Sequence, residues 1–336
     1  MPQSGDSQSW VPTVGIIANP VSGRDIRRVA ARGGVSSSQD KQNRIARAVI
    51  GAVTAGAQRV LAMQEPFGIA SGALADLDVD AELRVIDIGA TVSPTDTQRA
   101  AQAMRDEGVD VLITLGGDGT NRTIAQVWSD AVLVPMSTGT NNVFPSMVEP
   151  TIAGAAAGLI ATGKVALEAA APRSKVVRID LGELGDDLAL IDAISLVNDF
   201  VGNKMPVDPE KIRSLVLTTA RPDTIGVSSI GGLIQTVLPA DDFGLLVECG
   251  HGGSIVTAPI APGLYRQVPV LSTRRIALDE PIEIHGPSTL AFDGDRERKI
   301  TDVPAILRIR RDGPRVVDVP RTLSLGQSHF RTAPVV

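Results

Sequence analysis

Cysteine is nearly missing from this chain: Cys249 is the single thiol in 336 residues. One cysteine excludes an intrachain disulfide and a cysteine-rich zinc centre, and a reducing cytoplasm is the expected compartment. Aromatic residues amount to 3 %, too few for a base-stacking platform, so the core must be built from Ala, Val, Leu and Ile. Basic charge is not in excess either. A net charge of −6 and a pI near 5.2 exclude a nucleic-acid surface and a polybasic membrane anchor. No apolar run reaches the ~18 residues of a membrane span. The residues before Trp10 are polar and lack the basic and apolar regions of a secretory signal, so a soluble protein is expected. The histidines, His251, His285 and His329, stand far apart without metal-ligand spacing. G-x-G-x-x-G and G-x-S-x-G are absent, which removes the main support for a dinucleotide dehydrogenase or an α/β-hydrolase.

What is present is Gly116-Gly117-Asp118-Gly119-Thr120, directly after the apolar run Val109 to Leu115. Glycines let backbone N–H groups approach a phosphate chain, and a carboxylate in the same turn can orient a hydroxyl or hold Mg²⁺. Gln98 to Glu107 before it and Asn121 to Ser129 after it read as helices, with Gly108 ending the first. A strand, a glycine turn and a helix put Asp118 at the carboxyl end of a sheet, where a helix N-terminus favours anions. The plainer reading of the same residues is a tight connection with Asp118 as a turn residue.

The first half alternates strand-like and helix-like segments. Val14 to Ala18, Arg59 to Met63, Leu83 to Asp87 and Val132 to Met136 read as strands, and Gln42 to Ala55, Ile69 to Ala75 and Ile152 to Ala161 as helices. This is the signature of βαβ units and predicts a doubly wound, Rossmann-like α/β domain over 11–164. Two more polar turns follow strand-like runs, Asn19-Pro20-Val21-Ser22-Gly23 and Ser137-Thr138-Gly139-Thr140-Asn141-Asn142. Parallel strands deliver their carboxyl ends to one edge, so all three turns are expected to share one crevice. Beyond residue 165 short apolar runs separated by Gly, Pro and Asp turns, among them Ala189 to Val197, Leu233 to Leu238, Gly244 to Val247 and Ser254 to Ala258, predict a mostly antiparallel β domain over 165–312.

Other features have bland readings. Gly158 to Lys164 has phosphate-loop spacing, but Val165 stands where Ser or Thr is needed and a helix precedes it, so Gly163 reads as a helix cap. His251 lies in Gly250-His251-Gly252-Gly253, a loop that either reaches a ligand or is solvated. Asp186-Asp187 and Asp241-Asp242 read as solvated turns. Arg296, Arg298 and Lys299 follow a hairpin turn at Asp293-Gly294 and face either a phosphate or water.

Taken in order, Asn19-Pro20-Val21-Ser22-Gly23, Gly116 to Thr120, Thr138 to Asn141, Asn198-Asp199 and Asp293-Gly294 resemble the superfamily of NAD kinases and diacylglycerol or sphingosine kinases. The chain is most similar to the ATP-NAD kinase family, in its branch associated with acetoin-catabolism operons, over roughly residues 14 to 320. The resemblance implies an α/β domain plus a β domain, with a C-terminal tail (313–330) returning to the first. It implies Asp118 as base or hydroxyl-orienting group. Asn19, Ser22, Gly23, Gly116, Gly117, Gly119, Thr120, Thr138, Gly139, Thr140 and Asn141 would bind the phosphoryl donor, and Asn198, Asp199, Tyr265 and Asp293 the acceptor. Where NAD kinases carry Pro-Thr-Gly-Ser-Thr-Ala-Tyr, this chain has Pro259-Ile260-Ala261-Pro262-Gly263-Leu264-Tyr265 and lacks the hydroxyls. The first and third turns look closer to the lipid-kinase pattern.

These readings predict a kinase using ATP, or another phosphoanhydride, with Mg²⁺ to phosphorylate a hydroxyl, with NAD as the leading acceptor. A small polyol, hydroxyketone or lipid-like alcohol is the alternative acceptor, and a catalytically silent nucleotide sensor the alternative class. No protein-held metal ligand set is expected, and the expected assembly is a homo-oligomer.

Overall fold

The computed structural model describes residues 10–22, 37–139 and 141–331. Its first sheet is parallel. β1 (Thr13–Ala18), β2 (Arg59–Met63), β3 (Glu82–Ile86), β4 (Val111–Gly116) and β5 (Val132–Ser137) stand in the order β5-β4-β1-β2-β3. β1 and β4 are buried along their whole length, as strands covered on both faces must be. The order reverses between β1 and β4, which makes a topological switch point beyond their carboxyl ends.

Helices cover both faces: α1 (Ser38–Thr54), α2 (Ile69–Leu74), α3 (Pro94–Asp106), α4 (Asp118–Val127) and α5 (Pro150–Ala161). The alanine-rich α5 packs almost backbone to backbone on α1. A Cβ added at Gly154 would lie 1.9 Å from the Ala48 carbonyl oxygen, so no larger residue fits this crossing. A short helix, α6 (Leu167–Ala170), leads into the second half.

There the strands are antiparallel. β6 (Val176–Asp180), β7 (Asp186–Ala189), β8 (Asp192–Leu196), β9 (Ile212–Leu217), α7 (Ser228–Gly232), β10 (Phe243–Ala261), β11 (Leu264–Ala277), β12 (Ile282–Ile284), β13 (Ser288–Phe292), β14 (Asp295–Ile300) and β15 (Ala305–Arg310) follow one another. They form a six-stranded sheet, β11-β10-β9-β8-β13-β14, and a four-stranded one, β12-β15-β6-β7. Val177, Ile179, Val216, Leu290, Phe292 and Leu307 fill the space between them. The chain then returns to the first sheet: β16 (Arg315–Val316) pairs parallel with β5, and α8 (Val319–Gly326) packs on α5. The Rossmann-like first part, the antiparallel second part and the returning tail are as the sequence and its resemblance predict.

Several elements differ from expectation. Ala189 to Val197 is not one strand but β7 and β8, in different sheets, with the crossover at Leu190-Ile191. Leu233 to Leu238 is the end of α7 and a turn, tied to the β domain by the bridge of Val237 to Ala220 and by Lys175 Nζ, which donates to the Leu238 carbonyl; Val237 is buried but Leu233, Ile234 and Leu238 are exposed, and the run is a strand of neither antiparallel sheet. Gly250 to Gly253 is not a free loop. It is an irregular stretch within β10, where the register slips between Cys249 and Ser254 and Gly253 presses against the Val270 backbone. β14 carries too much charge to be recognised from apolar runs, and the first half of β11 is broken up by Arg266, Gln267 and Pro269.

Candidate functional site

The register of the parallel sheet explains the site. Ala18 pairs with Leu115 and Gly116 pairs with Ser137, so the three polar turns leave adjacent strands at one level. The Asn19 side-chain amide donates to Thr120 Oγ1 at 3.0 Å, while its Oδ1 accepts from the Val21 and Ser22 N–H groups. Beneath this loop lies Lys41, fully buried, whose ammonium donates to the Asn19, Pro20 and Ser22 carbonyls at 2.8 Å each.

The Gly116 to Thr120 turn opens α4, with Gly117 as its N-cap. Its glycines make room for side chains as well as for any ligand. A Cβ at Gly116 would meet the Thr120 side chain at 2.5 Å, and one at Gly117 would meet Asn142 Oδ1 at 2.7 Å. Asp118 accepts hydrogen bonds from the Val143 and Phe144 N–H groups, the latter at 2.8 Å, and so staples the third turn to the second. The Asp293-Gly294 hairpin sits over this turn: a Cβ on Gly119 would lie 3.6 Å from Asp295 Oδ2.

Between turns and hairpin lies a cavity of about 590 Å³. Its wall brings together Asn19, Ser22, Gly117, Asp118, Gly119, Thr120, Thr138, Asn141 and Asp293. Gly116 and Gly139 lie behind the wall as supports, and Gly23 and Thr140 fall outside the described residues. Asn198, Asp199 and Tyr265 are not brought to it. Asn198 is exposed with a left-handed backbone (φ 53°), and Tyr265 is 63 % exposed. Asp199 points into the protein, where Asn203 Nδ2 donates to it at 2.7 Å and Arg296 Nε at 3.3 Å. Burial alone would raise its carboxyl; Asn203, the Phe200 N–H and Arg296 carry it below the ordinary value. Of the Pro259 to Tyr265 segment, Ile260, Ala261 and Pro262 reach the cavity.

Asp293 does structural work there too. Its two carboxylate oxygens accept from the Leu190 and Ile191 N–H groups at 2.8 Å, and Oδ1 also from Asp192 at 3.3 Å, which pins the crossover between the two sheets.

Arg122, Asp192 and Lys204 also line the cavity and were not singled out from sequence. Arg122 leaves α4 to reach Asp187 at 2.8 Å, Glu297 at 3.2 Å and the Leu188 carbonyl at 2.6 Å, with Phe292 under its guanidinium. Asp187 is therefore not a solvated turn residue: its side chain is 4 % exposed and closes the two halves of the molecule together. Lys204 Nζ lies 2.9 Å from Asp295 at the cavity edge. Arg296, held between water and phosphate by the sequence, is a buried partner of Asp199. Asp192 has a visible signal in retrospect, an acid inside the apolar run Leu188 to Leu196; the others have none.

Among the described residues no group of three or more His, Cys, Asp or Glu could hold a metal ion. The donor set that these residues offer does not fit a resident divalent cation. No described helix is long and apolar enough to cross a membrane.

A domain with a parallel sheet, three turns at its switch point and an antiparallel partner over them is the kinase-type fold of the ATP-NAD kinase family, and this chain belongs to that family. Residues 14–165 match the ATP-NAD kinase N-terminal domain. Within the family the chain falls in the branch of acetoin catabolism protein X. Residues 175–312 match the acetoin catabolism protein X C-terminal domain. The chain is 37 % identical over 309 residues to acetoin catabolism protein X of Cupriavidus necator, covering 88 % of this chain and 86 % of that one. A provisionally named diacylglycerol kinase from Bacillus anthracis str. Sterne shares the fold at 14 % identity and a TM-score of 0.50, covering 92 % of this chain and 98 % of that one. A yeast NADH kinase complexed with NADH is similar over 98 % of this chain and 90 % of its own, at 12 % identity and a TM-score of 0.47.

Proposed function

We propose that this protein transfers a phosphoryl group from ATP, or another phosphoanhydride, to an alcohol, with the donor in the α/β domain (11–164 and 313–330) and the acceptor under the β domain (165–312). The observation that carries the reading is the convergence of three polar turns at a switch point, with Asp118 at a helix N-terminus facing a cavity of about 590 Å³. The N-terminal N–H groups of α4 are the groups available to bind phosphate. Asp118, oriented by the Val143 and Phe144 N–H groups, would receive or orient the acceptor's hydroxyl proton. A loose transition state needs positioning more than a strong base. Mg²⁺ would arrive on the nucleotide's phosphates and neutralise their charge there.

NAD is the leading acceptor, because family membership favours it. The apolar Ile260, Ala261 and Pro262 on the cavity wall favour a smaller or more apolar alcohol as the second reading. A silent nucleotide sensor is the reading from another class, and a cytoplasmic location is part of the proposal. Transfer of labelled phosphate from ATP to a panel of NAD, NADH, small polyols, hydroxyketones and lipid alcohols decides between them. Transfer to any one identifies the acceptor class; nucleotide binding with no transfer to any removes the kinase reading.

A further inference from the structure

The segment between β8 and β9 folds around a buried ion pair, Asp199 and Arg296, whose side chains are each 1 % exposed. Asp199 Oδ1 accepts from the Phe200 N–H and from Asn203 Nδ2, its Oδ2 from Arg296 Nε, and its backbone carbonyl from Thr289 Oγ1 on β13. Arg296 closes the circuit. Its Nη1 donates to the Met205 carbonyl at 2.7 Å, and its own carbonyl accepts from the Gly202 N–H at 3.0 Å. Residues 199–205 are thereby a fixed loop whose shape is set by its interior. Lys204 stands outside that interior: its side chain is 55 % exposed and reaches Asp295, at 2.9 Å, on the cavity wall.

Among the described residues the cavity wall carries six carboxylates and three cations, Arg122, Lys204 and Arg296. A polyphosphate that enters it needs positive charge, and two of the three cations are committed elsewhere. Arg122 is bound to Asp187, Glu297 and the Leu188 carbonyl, and Arg296 holds the loop. Turning either toward a ligand leaves a buried carboxylate unpaired, which is costly. Lys204 is placed differently. An exposed ion pair contributes little, so its ammonium can exchange Asp295 for another anion at small cost. Asp295 in turn lies over the glycine turn, with Oδ2 3.6 Å from where a Gly119 Cβ would be. One carboxylate separates the ammonium from the N-terminus of α4.

We propose that Lys204 is a ligand-contacting residue, whose ammonium turns from Asp295 to donate a hydrogen bond to a phosphoryl oxygen held at the Gly116 to Thr120 turn. The proposal rests on the phosphotransferase reading for the nature of its ligand. The N-terminus of α4 offers only a partial positive charge. A full charge on a flexible stem, carried to the cavity edge by a loop of fixed shape, supplies what the helix lacks.

The test compares the full-length wild type with Lys204→Met, which keeps an unbranched stem and removes the charge, and Lys204→Arg, which keeps the charge. Calorimetric titration with inorganic tripolyphosphate and, separately, with ATP plus Mg²⁺ is expected to find Lys204→Met about tenfold or more weaker than wild type toward both probes, the scale of a hydrogen bond between charged groups. Lys204→Arg is expected within about threefold of wild type. Melting temperatures of the ligand-free proteins should nearly coincide, because the Lys204–Asp295 pair is exposed. Equal affinity of wild type and Lys204→Met, an Arg variant as weak as the Met variant, or no binding of either probe overturns the proposal.

A third variant separates a ligand contact from a structural latch. Asp295→Asn releases the ammonium without removing it, so it should bind both probes at least as tightly as wild type. If the pair served only to hold the cavity in shape, Asp295→Asn and Lys204→Met would weaken binding together, and that result also overturns the proposal. If the variants bind as expected but no alcohol is phosphorylated, the phosphotransferase reading fails and the Lys204 contact stands; phosphorylation of an alcohol with an indifferent Lys204→Met gives the reverse.

Discussion

Asp118 has two jobs in the same place. Its carboxylate holds the Val143 and Phe144 N–H groups, and in the proposed reaction it also meets the acceptor hydroxyl. Asp118→Asn keeps Oδ1 as acceptor for the Val143 and Phe144 N–H groups but replaces Oδ2, the second acceptor of Val143, with an amide N–H, so about 1 kcal/mol of stability should be lost. Turnover should fall by about 10²-fold or more, the scale of lost general-base assistance. Thermal unfolding and single-turnover rates measured on the same variant separate the two jobs; a near-normal rate would reduce Asp118 to the staple. Lys41 is a residue of the opposite kind, charged and fully buried, with three carbonyls among its hydrogen-bond acceptors. Lys41→Met strands those carbonyls beneath the first turn. A loss of roughly 1.5–3 kcal/mol in chemical denaturation is expected, with weaker nucleotide binding because Asn19 no longer holds Thr120.

At the scale of elements, the crossing of α1 and α5 decides how closely the helices lie on the sheet. Gly154→Ala would gain about 1 kcal/mol of helix propensity on an isolated helix. Here the added methyl meets the Ala48 carbonyl, a backbone atom that cannot rotate away. Net destabilisation of about 1–3 kcal/mol is expected from overpacking, and a denaturation midpoint equal to or above wild type would show that the helices can part without penalty. The polar turns show the same dependence on neighbours. Each was legible from its own residues, because glycines and small polar residues after an apolar strand have a local meaning. Which of them would support the wall and which would form it depended on side chains from other turns, Thr120 over Gly116 and Asn142 over Gly117.

For the whole molecule, Arg122 is the clamp between its halves. Asp187 is held ionised by it: burial acts to raise the carboxyl, and Arg122, the Leu188 N–H and Gln126 outweigh burial and lower it. A lowered carboxyl contributes stability that is present above the unfolded value near ~4 and is lost as pH falls through the folded value below it. Wild type should therefore lose stability on acidification below about pH 4, and Arg122→Ala should show much less of that loss. At neutral pH the same variant leaves a buried carboxylate unpaired, at about 3–5 kcal/mol. Thermal unfolding of both proteins from about pH 7 to 3 checks the two signs together. The returning tail is the other link. Truncation after Asp312 removes β16 from the edge of β5 and α8 from the face of α5, so the first domain should become less soluble even though the β domain keeps its strands.

The alternation of apolar runs and breaker residues by itself determined two architectures, parallel then antiparallel, and the edge at which the three turns meet. Those are consequences of periodicity and turn chemistry, which act over a few residues. The tertiary structure alone decided that β7 and β8 are separate strands in separate sheets, that Asp187 pairs with Arg122 across 65 residues, that Asp199 turns inward to Arg296, and that Asp192 stands between Asp118 and Asp293. Burial and charge pairing set each of these. Both are properties of what the fold brings near a side chain, and a chain read one residue after another contains the partners without their distances.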